Sequence, residues 1–431
     1  MPDFVNILSD QREEILSLDT SQWVSRESEA LIDLDSPLAQ IVIGVRRSGK
    51  STLCLKRLLE SGVNFAYINF DDERLEGLQS DALNDALATL YRINGRFTHL
   101  FLDEVQNVSG WPLFVNRLLR QGIHLVLTGS NANLLSGELS THLTGRYHRI
   151  ELLPFSYAEL CRLRKLDIRS WSTRAMALRQ QLLDEYMRLG GLPELHTGRG
   201  SESYVPSLMA AVVRRDVCRR YRLRYPDVVW QLANLLLDNF CQEVIPANLA
   251  DRLGVASVHT VRRYLDCLEE AYLVCRVPRF SYKSVERQHY GRAYAIDPAF
   301  VMLRADAVVR PNRGWMLENV IYLELRRRYG RETQQLMCLH HGGFEVDFVV
   351  VEAGRVIQLV QVTYDWSDPG PKQIRRELGG LSNGSRLTGC TSLTLVIGEG
   401  QSGSVVWEDL PVRVCLATEW LLGFDEVEQL A

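Results

Sequence analysis

The sequence predicts an α/β fold: a parallel sheet built around a phosphate-binding loop, followed by further domains. Three observations carry that expectation. An apolar strand, AQIVIGV at 39–45, runs through Arg-Arg-Ser-Gly into Lys50 and a helical pattern, STLCLKRLLES. Two later apolar strands end in polar tips, LFLDEVQNV at 100–108 and IHLVLTGSNANLL at 123–135. Beyond them lie a helix-turn-helix pattern at 245–280 and two strands joined at Gly354. With 431 residues the chain exceeds one ordinary core, so two or three domains are expected.

The first strand leads into Gly44-Val-Arg-Arg-Ser-Gly49-Lys50-Ser51, which satisfies GxxxxGK[ST] between a strand and a helix. Glycines let the backbone wrap phosphates, so that amide N–H groups and the positive helix end face the anion. The candidates for holding ATP are Gly44, Arg46, Arg47, Ser48, Gly49, Lys50, Ser51 and Thr52. Lys50 is expected to reach the β- and γ-phosphates, and the Ser51 hydroxyl to ligate Mg²⁺. A glycine-rich turn in an unrelated doubly wound fold is the bland alternative.

The next buried strand, at 96–108, ends in Asp103-Glu104. Paired acids there suit a magnesium-binding Asp103 and a water-activating Glu104; an exposed acidic turn is the alternative. The strand at 123–135 ends in Thr128-Gly129-Ser130-Asn131, with Ser130 and Asn131 the candidates for sensing the γ-phosphate. Arg146, in LTGRYHRIEL, is either a finger completing a neighbouring subunit's site in a homo-oligomer or a solvated arginine.

Composition narrows the setting. Hydrophobic residues make up 46% and charged ones 24%, with a formal charge of -4, as in a globular protein without general basicity. Basic residues nevertheless concentrate at 214–224 (RRDVCRRYRLR) and between Arg262 and Arg292, so a local positive face can coexist with an acidic whole. The nine cysteines are scattered, without a CxxC pair, which suggests neither zinc nor a disulfide framework. No apolar run reaches the ~18 residues of a membrane span, and no signal peptide is evident at the start. A cytoplasmic protein with no membrane partner is expected.

The phosphate loop, YINFDDERL, LFLDEVQNV, LTGSNANLL, LTGRY and YMRLGGLPEL come in one order that resembles the prokaryotic AAA-type ATPases with a carboxy-terminal domain of unknown function. That resemblance implies an ATPase domain, a winged-helix segment and a restriction-nuclease-like domain. Turn-rich stretches at 190–203 and 304–314 then divide the chain into 1–195, 196–305 and 306–431.

In the middle segment, Val261, Tyr264, Leu265 and Leu268 recur at helical spacing behind an N-cap at Ser257 and a turn at Gly254. The opposite face carries His259, Arg262, Arg263 and Asp266. Arg262 and Arg263 either enter a DNA groove, with 282–294 as a wing, or simply form a solvated face.

In the last segment, Glu318 in a helix and Asp347 at a strand start resemble the PD-(D/E)xK nuclease core. The resemblance places a metal-gathering acid-x-Lys on the next strand. The sequence there is Gln361-Val362-Thr363, so the lysine is missing; Lys372 is the one relocated candidate. The preferred reading is a Mg²⁺-dependent ATPase acting on DNA. Its competitors are an ATP-bound switch with negligible turnover and an ATP-gated nuclease.

Overall fold

The apolar run before the glycines forms β1 (Ala39–Gly44), buried throughout. Beside it lie β2 (Phe65–Asn69), β3 (His99–Asp103), β4 (His124–Gly129) and β5 (Tyr147–Leu152). All pair in parallel, in the order β2-β3-β4-β1-β5. β1 and β3 are buried on both faces, which is why they read as unbroken apolar runs rather than alternating ones. Parallel pairing brings Gly44, Asn69, Asp103 and Gly129 to one edge, where open α/β sheets bind their ligands.

Helix α1 (Phe4–Leu16) is tied to β2 through Gln11, which donates to Asn69 O (3.1 Å) and accepts from Asn69 N (2.9 Å). Helix α2 (Lys50–Ser61) lays Leu53, Cys54 and Leu58 against Val42, Phe101, Val126 and Ile150. Leu58 is fully buried, so truncation to alanine would cost about 2–5 kcal/mol. Helices α3 (Leu83–Asn94) and α4 (Trp111–Arg120) complete the layers.

The structure is a computed structural model that describes residues 2–130, 143–198, 200–201, 203–283, 291–307, 312–330 and 334–424. Asn131 and residues 284–290 of the expected wing lie outside the described residues. The chain forms two compact units, one reaching to Pro154 together with Glu270–Tyr272, the other comprising Phe155–Glu269 and the chain from Leu273.

In the second unit, the Pro246–Leu253 and Val258–Glu270 helices are joined by a turn in which Gly254 takes φ +64°. Ser257 Oγ accepts from Thr260 N at 3.4 Å, and Val261, Tyr264, Leu265 and Leu268 are buried as their spacing predicts. β6 (Glu243–Val244), β7 (Val274–Pro278) and β8 (Gly291–Ala295) form an antiparallel sheet in the order β6-β8-β7.

The remaining strands are β9 (Gln334–His341), β10 (Phe344–Glu352), β11 (Arg355–Asp365), β12 (Leu393–Glu399), β13 (Gly403–Trp407) and β14 (Leu410–Leu416). They make a mixed sheet in the order β13-β14-β12-β11-β10-β9. Successive residues of β10 serve opposite faces. Phe348 meets Tyr322 of the Arg313–Tyr329 helix, while Val349 packs with Leu378 and Leu381 of the Pro371–Thr388 helix.

The LGGLPE motif is a seat for a buried acid. Asp297 accepts from Gly191 N (2.7 Å) and Ala299 N (2.8 Å), and a Cβ on Gly190 would lie 1.7 Å from its Oδ1. All nine cysteines are free and buried. Among the described residues, no helix is long and apolar enough to cross a membrane.

Candidate functional site

The loop after β1 turns because its backbone takes conformations that glycine tolerates. Gly44 has φ +155°, and a Cβ there would sit 2.1 Å from Leu152 O on the neighbouring strand. Gly49 caps α2 with φ +91°, so the first amides of the helix open onto the loop. Lys50 folds beneath it: its Nζ donates to Gly44 O (3.2 Å) and Val45 O (3.1 Å) and lies 3.8 Å from Glu104 Oε1. Ser48 is buried; Arg46 pairs with Asp71 at 3.7 Å; Arg47 and Thr52 are exposed.

The tip of β3 meets this loop as the sequence predicts. Ser51 Oγ donates to Asp103 Oδ1 at 2.9 Å. A hydroxyl and a carboxylate are the hard oxygen donors that Mg²⁺ takes, so Ser51 and Asp103, already side by side, would suit one such ion. Thr128 also donates to Asp103 Oδ1, and Tyr67 donates to Oδ2 at 3.1 Å. Burial pushes the Asp103 carboxyl up and the Glu104 charge adds to it, against the pull of the three hydroxyls. A divalent cation would offset that burial.

Glu104 has φ +51°, an uncommon conformation for a non-glycine residue, held by its N–H donating to Thr128 Oγ1 at 2.9 Å. Its side chain accepts from Gln106 Nε2, which also lies 3.5 Å from Ser130 Oγ. Burial alone would raise this carboxyl, but the Lys50 ammonium, the Gln106 hydrogen bond and the Arg46 charge outweigh it and hold it below its ordinary range. Adjacent carboxyls shifted in opposite directions are suited to different roles.

Sequence reasoning missed two supports. Thr128, which the sequence shows only as part of a polar strand tip, links Asp103 to the Glu104 backbone. Arg26, which carries no motif, donates through Nη1 to Ser48 O (3.0 Å) and through Nη2 to Leu153 O (2.7 Å), pinning the loop to the chain after β5. Arg146 stands elsewhere. Ala39 N donates to Arg146 O at 3.0 Å, so this arginine is at the amino end of the sheet, roughly 16 Å of strand from Gly44, with Nη1 on Asn116 Oδ1. It is not part of its own chain's loop site.

In the second unit the structure brings Glu318, Asp347 and Gln361 together, around Arg292, which the sequence offers only as part of a basic run and the expected wing. Arg292 Nη1 lies 3.0 Å from Glu318 Oε1 and 2.8 Å from Asp347 Oδ1, and Nη2 lies 2.8 Å from Glu345. Tyr294 OH donates to Glu318 Oε1 (2.8 Å), and Val362 N to Asp347 Oδ2 (2.9 Å). Gln361 accepts from Asp347 N (3.1 Å) and donates to Glu377 (2.8 Å). The register of β10 against β9 shifts between Val346 and Val349, the stretch that holds Asp347.

Burial raises both Glu318 and Asp347, and the Arg292 guanidinium opposes it. Arg292 thus supplies positive charge between the two acids. Thr363 accepts from Gln373 at 3.3 Å, and Lys372 is exposed on the Pro371–Thr388 helix. Among the described residues, no group of three or more His, Cys, Asp or Glu side chains is arranged to hold a metal ion. Arg262 and Arg263 are exposed on the Val258–Glu270 helix, Arg263 donating to Tyr221 O at 3.3 Å.

Known proteins agree with the loop site. Residues 36–161 match the AAA domain family, and residues 180–306 match a domain of unknown function, DUF8612. The uncharacterized protein MJ1544 of Methanocaldococcus jannaschii is 32% identical over 339 residues, 76% of this chain and 75% of that protein. The chain belongs to the family of MJ1544. An uncharacterized protein of Haemophilus influenzae is 29% identical over 367 residues, 79% of this chain and 87% of that protein.

The chain therefore carries an AAA-type P-loop ATPase domain followed by a domain of unknown function. Among solved structures, the Walker-type ATPase PABY2304 of Pyrococcus abyssi superposes with a TM-score of 0.41 at 16% identity, covering 67% of this chain and 99% of that one. AMPPCP-bound DnaA of Aquifex aeolicus gives 0.25 at 15%, covering 57% and 90%. Superpositions this loose say nothing of this chain's activity.

Proposed function

We propose that this protein is a Mg²⁺-dependent ATPase whose nucleotide state controls a winged-helix segment, about 196–305, and a nuclease-like domain, about 306–431, acting on DNA. The observation that carries the ATPase reading is the tip of β3. Asp103 is hydrogen-bonded to Ser51, and Glu104, held in a left-handed turn, faces Lys50. Ser51 and Asp103 would hold Mg²⁺, which when bound neutralises phosphate oxygens. Lys50 and the first amides of α2 bind the phosphates. Glu104, kept ionised by Lys50, Gln106 and Arg46, orients the attacking water and accepts its proton. Ser130, close to Gln106, is placed to respond to the γ-phosphate.

DNA contact is assigned to Arg262 and Arg263, which point away from the core formed by Val261, Tyr264 and Leu265. Cleavage is disfavoured, because Arg292 lies between Glu318 and Asp347 and Thr363 brings no charge. The test is ATP hydrolysis with Mg²⁺, with and without duplex and single-stranded DNA. Glu104→Gln should retain nucleotide binding and lose hydrolysis by about 10²–10⁴-fold. Hydrolysis at the parental rate in that variant would remove Glu104 from its role.

A further inference from the structure

The arginine-rich stretch at 214–224 is not used by the ATPase reading, and its backbone is unusual. Val212–Arg219 winds as a π-helix, a rare element concentrated at functional sites. It closes on Arg220 N, which donates to Arg215 O (3.3 Å), and then ends in a Schellman turn, Arg222 N donating to Arg219 O (3.3 Å) and Leu223 N to Cys218 O (2.9 Å). At that spacing Val212, Val213, Asp216, Val217 and Cys218 turn inward, while Arg214, Arg215 and Arg219 are exposed. The segment then carries exposed Arg222, in a left-handed conformation at φ +50°, and exposed Arg224 and Tyr225, with Leu223 buried between.

One hydrogen bond joins this stretch to the helix that bears Arg262 and Arg263, and Tyr225 just beyond the stretch lies near Tyr264. Arg263 Nη2 donates to Tyr221 O at 3.3 Å. The phenol of Tyr264, one residue on, is raised by burial and then by the nearby Tyr225. The two sets of arginines are therefore neighbours. Residues 214–224 hold six arginines and one aspartate, in a chain whose formal net charge is -4. The single acid, Asp216, is buried. The exposed arginines at 214, 215, 219, 222, 224, 262 and 263 outnumber the exposed acids beside them, Asp227 and Asp266, and that excess is the electrostatic footprint of a polyanion partner.

We infer that the exposed arginines of residues 214–224 form, with Arg262 and Arg263, one surface that binds the phosphate backbone of duplex DNA, with Tyr225 at its edge. The inference rests on the DNA reading above and enlarges it. The helix pair is flanked by phosphate contacts from a separate element, as positioning contacts flank a groove-entering helix. The arginines at 214, 222 and 224 then contribute affinity that is independent of sequence and steep in salt.

The experiment measures duplex affinity across 50–300 mM KCl for the full-length protein and for Arg214→Gln/Arg222→Gln/Arg224→Gln, which keeps the stems and removes three charges. Each lost phosphate contact lowers the slope of log affinity against log salt by about 0.9, so a fall of about 2–3 is expected. The triple lysine variant, which restores charge without the planar fork, should recover most of the slope; unchanged circular dichroism and DNA-free ATP hydrolysis establish that folding is intact. A parental slope in the glutamine variant overturns this inference and leaves DNA binding standing. No duplex binding by the parent at the lowest salt overturns the DNA reading itself. Equal slopes and affinities for single-stranded and duplex DNA overturn the assignment to duplex.

Discussion

Replacing Arg292 by methionine should destabilise the second unit strongly, and more at high pH than at low. The guanidinium has 14% of its side chain exposed, and the acids on either side, Glu318 and Asp347, have 11% and 6%. Removing one partner from such a cluster generally costs about 3–5 kcal/mol, because the charges left behind are buried without compensation. The variant can escape only by protonating a carboxyl. Holding a group of ordinary value about 4 protonated costs about 4 kcal/mol at pH 7 and about 1.4 kcal/mol at pH 5.

The sign follows from where the protons sit. Folded carboxyls raised above their unfolded values bind protons more tightly than the unfolded chain, so stability is lost as pH rises through that window. Urea unfolding of parent and variant, followed by tryptophan fluorescence from pH 5 to 8, should show a difference that grows with pH. Adding Glu318→Gln and Asp347→Asn should recover most of the loss, since a neutral cluster needs no counter-charge. A pH-independent difference, or no recovery in the triple variant, would refute the view of Arg292 as the acids' counter-charge.

Three further outcomes are expected. Lys50→Ala should abolish binding of a fluorescent ATP analogue, because the loop loses the ammonium now held by Gly44 O and Val45 O; binding at parental affinity would remove the loop from the nucleotide site. Asp297, pushed up to about 7 by burial against the pull of the Gly191 and Ala299 amides, should make stability fall as pH rises from about 4 to 7. Asp297→Asn should flatten that dependence in thermal melts, while leaving one amide poorly paired at a cost of about 1–2 kcal/mol. Purified protein with Mg²⁺ or Mn²⁺ and ATP should leave plasmid DNA intact over hours; nicking that vanishes in Asp347→Ala would show that the Arg292 cluster still cleaves.

The loop and the strand tips are legible from the chain alone. Glycines at 44 and 49 around Lys50, and an acid pair ending an apolar run, are local patterns whose chemistry follows from backbone conformation and strand direction. A helix at 258–270 was legible for the same reason, since its apolar spacing and its Ser257 cap lie within one turn of each other. Partnerships between residues far apart in the chain emerge only once it is folded. Arg26 reaches Ser48 and Leu153, Thr128 bridges Asp103 and Glu104, and Arg292 enters between Glu318 and Asp347. No local propensity encodes these, because a guanidinium or hydroxyl has no preferred partner until burial removes water and leaves one acceptor within reach.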